Sequence, residues 1–369
     1  MTRRTIAGLI AVLALVAAPL RAGAATPVSI VDFPTPAPSY GITAGPDGAM
    51  WFTEASPDDN RIGRMTTDGV VTADYTVPTP RSVAEKIVTG PDRALWFAEA
   101  IGNKIGRLTT GGSFTEYALP HAGSQPTGIT VGPDGALWFT EELGGRIGRI
   151  TTGGAITEFG TPTPDSGPFA ITTGPDGALW FTENPGGSAP ASQIGRVTTG
   201  GAVTEYPVTG TRFLGEITRG RDGALWFADG GQDAIGRITT SGAITEFTLP
   251  TPDSGPLAIT SGPDGALWFA DNNAAVNRIG RITTAGAIEE FPLSMPLTVP
   301  GQDITSGPDG AVWFTGSNAN APRVGRVRVA AVPHSKRDCM HDGWRHLVDR
   351  SGRRFRNQGR CISAVVARH

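Results

Sequence analysis

The sequence predicts an all-β fold, a seven-bladed β-propeller that is closed by its N-terminal strand and followed by a small C-terminal tail stapled by a disulfide. The first observation is a ten-residue stretch, Gly132 to Glu141 in its cleanest copy, that recurs seven times with its tryptophans 42 to 46 residues apart. The second is a shorter box, Arg146 to Arg149 in the same repeat, that follows each copy. A fixed period of this length is typical of repeat architectures, and four short strands per unit of about 43 residues make a propeller blade. The seven tryptophans are Trp51, Trp96, Trp138, Trp180, Trp226, Trp268 and Trp313.

The third repeat shows the predicted order of strands and turns in one blade. Gly128 to Val131 is a short β-prone run, and Gly132 to Gly135 is a turn, because Pro suits its first central position and Gly its left-handed exit. We predict the second strand at Ala136 to Thr140, the third at Arg146 to Thr151 and the fourth at Ala155 to Phe159. No long helix is predicted in the propeller.

The seventh repeat is incomplete, and this predicts how the ring closes. It ends at Arg326 to Val329 without a copy of the fourth strand. Ser29 to Pro34, near the beginning of the chain, carries the missing pattern. Pairing these two segments closes the ring and removes the exposed sheet edges of an open array.

The chain of 369 residues divides into three predicted regions. Residues 1–24 read as a signal peptide, with Arg3 and Arg4, an apolar run and a small-residue cleavage site. Residues 25–332 form the propeller, and residues 333–369 form a basic tail. The leader predicts a secreted protein, extracellular or periplasmic. The apolar run of the leader is too short to span a membrane, and no later stretch is apolar enough to do so.

The tail and the propeller differ in charge. The tail carries a net charge of +6 and the only two cysteines, Cys339 and Cys361, which we expect to form a disulfide in an oxidising compartment. It resembles a short C-terminal module of secreted bacterial proteins that implies no known activity. The propeller carries −12, which argues against nucleic acid as its partner. A closed ring needs no second copy, so a monomer is expected.

Residues that are present in all seven blades are interpreted as scaffold. The tryptophans and the last arginine of each box are expected to pack between blades and to donate charge-assisted hydrogen bonds. Acids also recur at the end of the second strand, and we expect pairing with the arginine boxes before cation binding. These acids are Glu54, Glu99, Glu141, Glu183, Asp229 and Asp271.

The start of each first strand breaks the symmetry, and these positions line the central channel of a propeller. Eleven residues before the tryptophans stand Tyr40, Glu85, Thr127, Phe169, Gly215, Leu257 and Gln302, and ten before them stand Gly41, Lys86, Gly128, Ala170, Glu216, Ala258 and Asp303. Tyr40, Glu85 and Lys86 share one sector, which Gln302 and Asp303 join around the ring, whereas Glu216 is expected to stand apart in blade five. Convergent polar groups in such a funnel are typical of ligand sites, although solvated channel residues are an equal alternative.

The paired boxes resemble those of the virginiamycin B lyase, or streptogramin lyase, family, over roughly residues 28 to 330. The resemblance implies an enzyme that opens a cyclic depsipeptide antibiotic by elimination at its ester bond, with a divalent metal such as Mg²⁺. The family tyrosine is kept as Tyr40. The two family histidines fall on Leu257 and Gln302, and the two family glutamates fall on Pro300 and Gly316.

Two hypotheses about function follow. In one, the chain is a lyase with rearranged chemistry, with Asp303 or Glu85 as the base and Tyr40 as a hydrogen-bond donor. In the other, it is a non-catalytic secreted propeller that binds a small molecule, glycan or protein in the funnel through Lys86, Glu216 and Gln302. Lys86 paired with Glu85 or Asp303 would favour binding, and a metal among the polar residues would favour the enzyme. The sequence does not identify metal ligands.

Overall fold

Seven four-stranded antiparallel sheets form the propeller, and each sheet is one blade. The computed structural model describes residues 26, 28–55, 60–186, 191–211, 213–273, 278–293, 299–317, 322–329, 356–358 and 360–362. Residues 28–331 make one compact unit. The remaining residues, 1–27 and 332–369, make the other, and the predicted signal peptide lies outside the described residues.

The strands are numbered in chain order, and the chain enters each new blade at its innermost strand. The first strand, β1, is Val28–Pro34. Blades one to three contain β2 (Ser39–Ala44), β3 (Met50–Ala55), β4 (Asn60–Met65), β5 (Val71–Thr76), β6 (Ala84–Thr89), β7 (Leu95–Glu99), β8 (Lys104–Leu108), β9 (Phe114–Ala118), β10 (Pro126–Val131), β11 (Leu137–Glu141), β12 (Arg146–Ile150) and β13 (Ile156–Gly160). Blades four to seven contain β14 (Pro168–Thr173), β15 (Leu179–Glu183), β16 (Gln193–Val197), β17 (Val203–Pro207), β18 (Leu214–Arg219), β19 (Leu225–Asp229), β20 (Ala234–Ile238), β21 (Ile244–Thr248), β22 (Pro256–Ser261), β23 (Leu267–Asp271), β24 (Arg278–Ile282), β25 (Ile288–Pro292), β26 (Val299–Ser306), β27 (Val312–Ser317) and β28 (Arg323–Val329).

The predicted closure is confirmed. Strand β1 pairs antiparallel with β28, with Ile30 opposite Val327, and completes the sheet of blade seven. In the third repeat the second and fourth strands each lie one residue later than predicted. Glu141 pairs with Arg146 across β11 and β12, which extends the second strand to the acid at its end.

The core lies between the blades and divides into seven clusters. In each cluster the tryptophan of one blade packs with the phenylalanine that follows the tryptophan of the next blade, as Trp51 does with Phe97. Trp313 of blade seven packs with Phe52 of blade one, so the series closes on itself. The phenylalanine ring also covers the glycine of the box, since a Cβ on Gly148 would lie 2.0 Å from the ring of Phe139. Inter-blade packing of the tryptophans is therefore confirmed.

The aspartate of each turn joins the two repeated boxes. In blade three, Trp138 donates its indole N–H to Oδ1 of Asp134 at 3.0 Å, and Arg149 donates its Nε–H to Oδ2 at 2.6 Å. In blades one to six the box-final arginine makes this same ion pair, to Asp47, Asp92, Asp134, Asp176, Asp222 and Asp264. The expected charge-assisted hydrogen bonds are present, and their acceptor is this turn aspartate.

The acids at the end of the second strands behave differently from the expectation. They are buried, and among the described ion pairs only Glu141 lies near a box residue, at 3.8 Å from Arg146. The first basic residue of the box pairs mainly with an acid of the fourth strand, as Lys104 does with Glu116 at 2.8 Å. Both strands run beside the box, but Glu116 keeps 14% of its side chain exposed and Glu99 is fully buried, so pairing with Glu116 lets the Lys104 ammonium stay partly hydrated.

Little of the tail is described. Residues 358 and 360–362 form part of a helical turn, in which the backbone N–H of Arg360 donates to Oδ1 of Asn357 at 2.9 Å. Cys361 is buried. Its predicted partner, Cys339, lies outside the described residues, so that pairing stays a prediction. In the described ranges, no helix has the length and apolar character needed to cross a membrane.

Candidate ligand-binding channel

The innermost strands of all seven blades, β2, β6, β10, β14, β18, β22 and β26, line one cavity of about 200 Å³ on the axis of the ring. These strands start at the face of the ring that carries the connections between blades, and we call that end the channel mouth. Tyr40, Glu85, Thr127 and Phe169 line the cavity at the mouth, eleven residues before their tryptophans. The next position along each strand lies one layer deeper.

A group of three charged side chains crosses the deeper layer. Nζ of Lys86 on β6 lies 2.5 Å from Oδ1 of Asp303 on β26, and it also forms an ion pair with Oε1 of Glu216 on β18. We call these three residues the channel triad. The expectation that Glu216 stands apart in blade five is wrong, because the long side chain of Lys86 spans the channel and reaches it.

The backbone of neighbouring strands holds the acids of the triad in place. Oδ2 of Asp303 accepts the N–H of Ile42 on the adjacent blade at 2.8 Å, and the backbone N–H of Asp303 donates to Oγ1 of Thr315 at 3.0 Å. Glu216 accepts the backbone N–H of Ile259 in the same way. Blade one contributes no side chain at this layer, because a Cβ on Gly41 would lie 2.3 Å from the carbonyl oxygen of Glu85.

Burial sets the proton affinity of the triad. Asp303 is only 1% exposed. Burial and the nearby charge of Asp303 raise the pKa of Glu216 to about 8, against the lowering effect of Lys86. The two carboxylates hold the pKa of the Lys86 ammonium above its ordinary value despite its burial. Both carboxylate oxygens of Asp303 are occupied, Oδ1 by the ammonium of Lys86 and Oδ2 by the backbone N–H of Ile42. Asp303 is therefore not free to remove a proton from a ligand.

Glu85 lies at the mouth in a different environment. Burial raises its pKa to about 7, and the charge of Glu142 adds to the effect. Glu142 follows β11 and accepts a hydrogen bond from the amide of Gln125 at 3.3 Å. Among the described residues neither Glu85 nor Glu142 forms an ion pair with a basic side chain. Of the sequence-predicted base candidates, Glu85 is the one that faces the cavity without an ionic partner.

Aromatic side chains form another part of the mouth. Tyr40, on the blade next to that of Glu85, is 37% exposed and lines the cavity. Phe169 also lines it and packs against Phe213, which is 41% exposed, with ring centroids 6.0 Å apart. The mouth therefore offers apolar surface beside a carboxylate.

The positions where the family resemblance places catalytic residues carry no matching groups. Leu257 is 5% exposed and apolar. Pro300 and Gly316 are paired across β26 and β27, so the two glutamate positions are neighbours, yet neither residue has a side-chain oxygen. The side chain of Gln302 lies outside the described part of the structure.

The described residues do not fit a bound Mg²⁺. No three histidine, cysteine, aspartate or glutamate side chains converge as a ligand set within them. Mg²⁺ prefers carboxylate oxygens in near-octahedral geometry, and the acids of the triad are already bound to Lys86.

Sequence reasoning missed three features. Glu142 and Phe213 lie on loops, and no repeat position marked them as neighbours of Glu85 and Phe169. The third feature is the hydrogen bond between Nδ1 of His121, on the connection before β10, and Oε2 of Glu158 on β13. The sequence contained a signal for this contact. His121 stands five residues before β10, and Thr79, Thr163 and Thr251 each stand five residues before their own inner strands. These threonines donate to acids of the fourth strands, Glu116, Glu205 and Glu290.

Comparison with known proteins agrees with this fold. The model of the virginiamycin B lyase family matches residues 25–212 and 188–334. A streptogramin B lyase structure is 39% identical, covers 82% of this chain and 98% of its own, and superposes with a TM-score of 0.73. Selenomethionine-substituted virginiamycin B lyase from Staphylococcus aureus is 38% identical, with 81% and 99% covered and a TM-score of 0.73.

A catalytically inactive variant of the Staphylococcus aureus enzyme, solved with quinupristin, is also 38% identical, with 81% and 99% covered and a TM-score of 0.74. No curated protein sequence matches this chain significantly. The family match extends over the whole propeller, and the seven closed blades agree with it. The chain belongs to the virginiamycin B lyase family.

Proposed function

We propose that this chain is a non-catalytic member of its family that binds a small molecule at the channel mouth, outside the cytoplasm. The observation that carries the proposal is the ion pair between Lys86 and Asp303. It occupies the deeper acid that could have served as a base, and Leu257 and Pro300 stand where the family resemblance places a histidine and a glutamate. What remains is a concave site with apolar walls and one carboxylate, which suits binding. Export rests on the predicted leader.

The absence of ring opening is tested with quinupristin, the compound in the structure of the inactive relative. Elimination leaves the mass of the antibiotic unchanged, so the linear isomer is separated by chromatography. We expect no linear isomer beyond the protein-free rate, while virginiamycin B lyase from Staphylococcus aureus serves as the positive control. Formation of the isomer in proportion to added protein would overturn the proposal.

Binding is tested separately by thermal unfolding with a library of small molecules. A ligand that binds only the folded state raises the unfolding midpoint by mass action. We expect compounds whose stabilisation is lost in Phe169→Ala and kept in Asp165→Asn, since Asp165 is exposed and does not line the channel. A library without any such compound would contradict the ligand-binding proposal.

A second candidate is a lyase with rearranged chemistry, and the position of Glu85 favours it. A carboxylate with a pKa of about 7 is suited to accept a proton near neutral pH. Tyr40 lies on the adjacent blade and faces the same cavity, where its hydroxyl could donate to a developing oxyanion. This candidate predicts ring opening of a cyclic ester that is lost in both Glu85→Gln and Tyr40→Phe.

A further inference from the structure

The charges that line the cavity favour a cationic ligand. Of the described residues that line it, Lys86 is the only basic one, whereas Glu85, Glu216 and Asp303 are acidic. The ammonium of Lys86 already forms ion pairs with two of these acids, Glu216 and Asp303. The net charge of the triad is therefore not positive while either carboxylate is ionised, and no free ammonium or guanidinium in the described lining attracts an anion.

The free carboxylate lies where a ligand would enter. Glu85 is at the mouth, and the charge of Glu142, on the loop after β11, raises its pKa further and adds negative charge to the same sector. The deeper groups that face it from other blades are those of the triad. A cation at the mouth would replace the repulsion between the two glutamates with attraction, and a partly buried carboxylate binds a cation more strongly than an exposed one.

The aromatic residues at the channel mouth also favour an organic cation as the ligand. Tyr40 stands on the next blade at the same level as Glu85, and Phe169 lies on β14 with its ring against Phe213. The faces of aromatic rings attract organic cations and also bind their apolar parts. Exposed Ile101 and Leu143, on the turns after β7 and β11, add apolar surface at the same face of the ring.

We propose that the channel mouth selects small organic cations, in which an ammonium group on an apolar body pairs with Glu85 and contacts Tyr40 while the body packs against Phe169. This inference rests on the proposed function and specifies its ligand class. It assigns to Glu85, a residue outside the positions carried over from the family, the role of determining specificity.

Three probes with the same ring test the selection by charge: cyclohexylmethylammonium, cyclohexylmethanol and cyclohexanecarboxylate. Their dissociation constants are measured by NMR titration of the mature protein at pH 8. We expect the cation to bind about tenfold more tightly than the alcohol and the anion to bind most weakly, as for a partly desolvated charge pair. At pH 6 the preference for the cation should shrink, because Glu85, with a pKa of about 7, is then largely protonated.

Two variants assign the preference to its residue. Glu85→Gln should bring the cation and the alcohol to within about twofold of each other and remove most of the pH dependence, leaving only the smaller effect of the deeper Glu216. Asp165→Asn is the matched control, since it removes an exposed carboxylate outside the channel and should keep the tenfold preference. The unfolding midpoint of each variant confirms that it is folded.

Each outcome separates this inference from the proposed function. Equal binding of the cation and the alcohol, or a preference that survives in Glu85→Gln, overturns the selection of cations but leaves ligand binding intact. Tighter binding of the carboxylate probe overturns the inference in the same way. If none of the three probes binds and the library also contains no ligand, both proposals fail together.

Discussion

The ammonium of Lys86 on blade two lies 2.5 Å from the carboxylate of Asp303 on blade seven, so one ion pair joins two inner strands that are separated by blade one. Glu216 on blade five binds the same ammonium from another side of the channel. A propeller is held mainly by contacts between adjacent blades. The triad adds a link across the axis, between blades that do not touch in the inter-blade core.

We expect Lys86→Met to destabilise the fold. It leaves Glu216 and Asp303 buried beside each other without a cation, and breaking a buried pair from one side typically costs about 3 kcal/mol. The free energy of unfolding is measured by urea denaturation. The triple variant Lys86→Met, Glu216→Gln, Asp303→Asn should recover most of the loss, because no charge is left unpaired.

Arg61→Met serves as the control for that experiment. Arg61 pairs with Asp74 at 2.6 Å, but its side chain is 41% exposed, and surface pairs are worth about 0 to 1 kcal/mol. If Lys86→Met costs no more than Arg61→Met, the triad does not stabilise the ring.

Stability should fall as the pH rises from about 4.5 to 8, because of the buried acids at the ends of the second strands. Burial raises the pKa of Glu183 from 4.5 to about 8, and that of Asp271 from 3.8 to about 8. Between the unfolded and folded pKa values the folded protein binds more protons than the unfolded chain. The free energy of unfolding therefore decreases with pH across this window and levels off above it.

The variant Glu183→Gln tests this dependence at one position. Gln resembles the protonated acid, so the variant should be more stable than the wild type at pH 8, by up to about 4 kcal/mol, and about equal to it at pH 4. Urea denaturation at both pH values provides the measurement, with Asp165→Asn as the control. A variant that is destabilised equally at both pH values would show that folding does not raise the pKa of Glu183.

The turn aspartates should have the opposite pH dependence. Burial raises the pKa of Asp134, but hydrogen bonds from Trp138 and Arg149 outweigh it and hold the pKa below its ordinary value of 3.8. Asp134→Asn should cost about 1.5 to 3 kcal/mol at pH 7, the range for hydrogen bonds to a charged group. This cost should vanish as the pH falls through the folded pKa of Asp134, because the wild type then loses the same interaction.

Thermal unfolding of the wild type at pH 7 and pH 2.5, each beside the variant, checks this prediction. A difference between the two proteins that persists unchanged at pH 2.5 would mean that the ion pair with Arg149 is not its source.

Magnesium, manganese and calcium should leave the unfolding midpoint unchanged at millimolar concentration. A ligand that binds the folded state alone raises the midpoint, and the described acids do not converge in a ligand set. Differential scanning fluorimetry with and without each ion provides the measurement. A rise that Asp303→Asn or Glu85→Gln abolishes would place a metal in the channel and favour the lyase candidate.

Repetition made most of the fold predictable. The tryptophan and phenylalanine of each second strand, the glycine of each box and the turn aspartate each have a local or nearest-blade partner. Their spacing along the chain therefore contains the information needed to place them. The missing fourth strand of blade seven similarly identified Ser29 to Pro34 as its replacement.

The candidate site was predictable only in part, and the reason is distance around the ring. Position within the repeat placed Glu85, Lys86, Glu216 and Asp303 along the channel, but it could not show that Lys86 is long enough to reach blade five. Nor could it show that Glu142 approaches Glu85, because the repeat fixes the backbone at Glu142, whose N–H donates to the carbonyl of Gln125, but not the direction of its side chain.

The sequence by itself determined the seven blades, their closure and the family, because these follow from contacts that recur at a fixed period. The tertiary structure alone decided which channel charges neutralise one another. Those contacts join residues up to 217 positions apart across a closed ring, where the direction and length of each side chain decide the pairing. Asp303 became a partner of Lys86, and Glu85 remained the acid that faces the channel mouth without an ionic partner among the described residues.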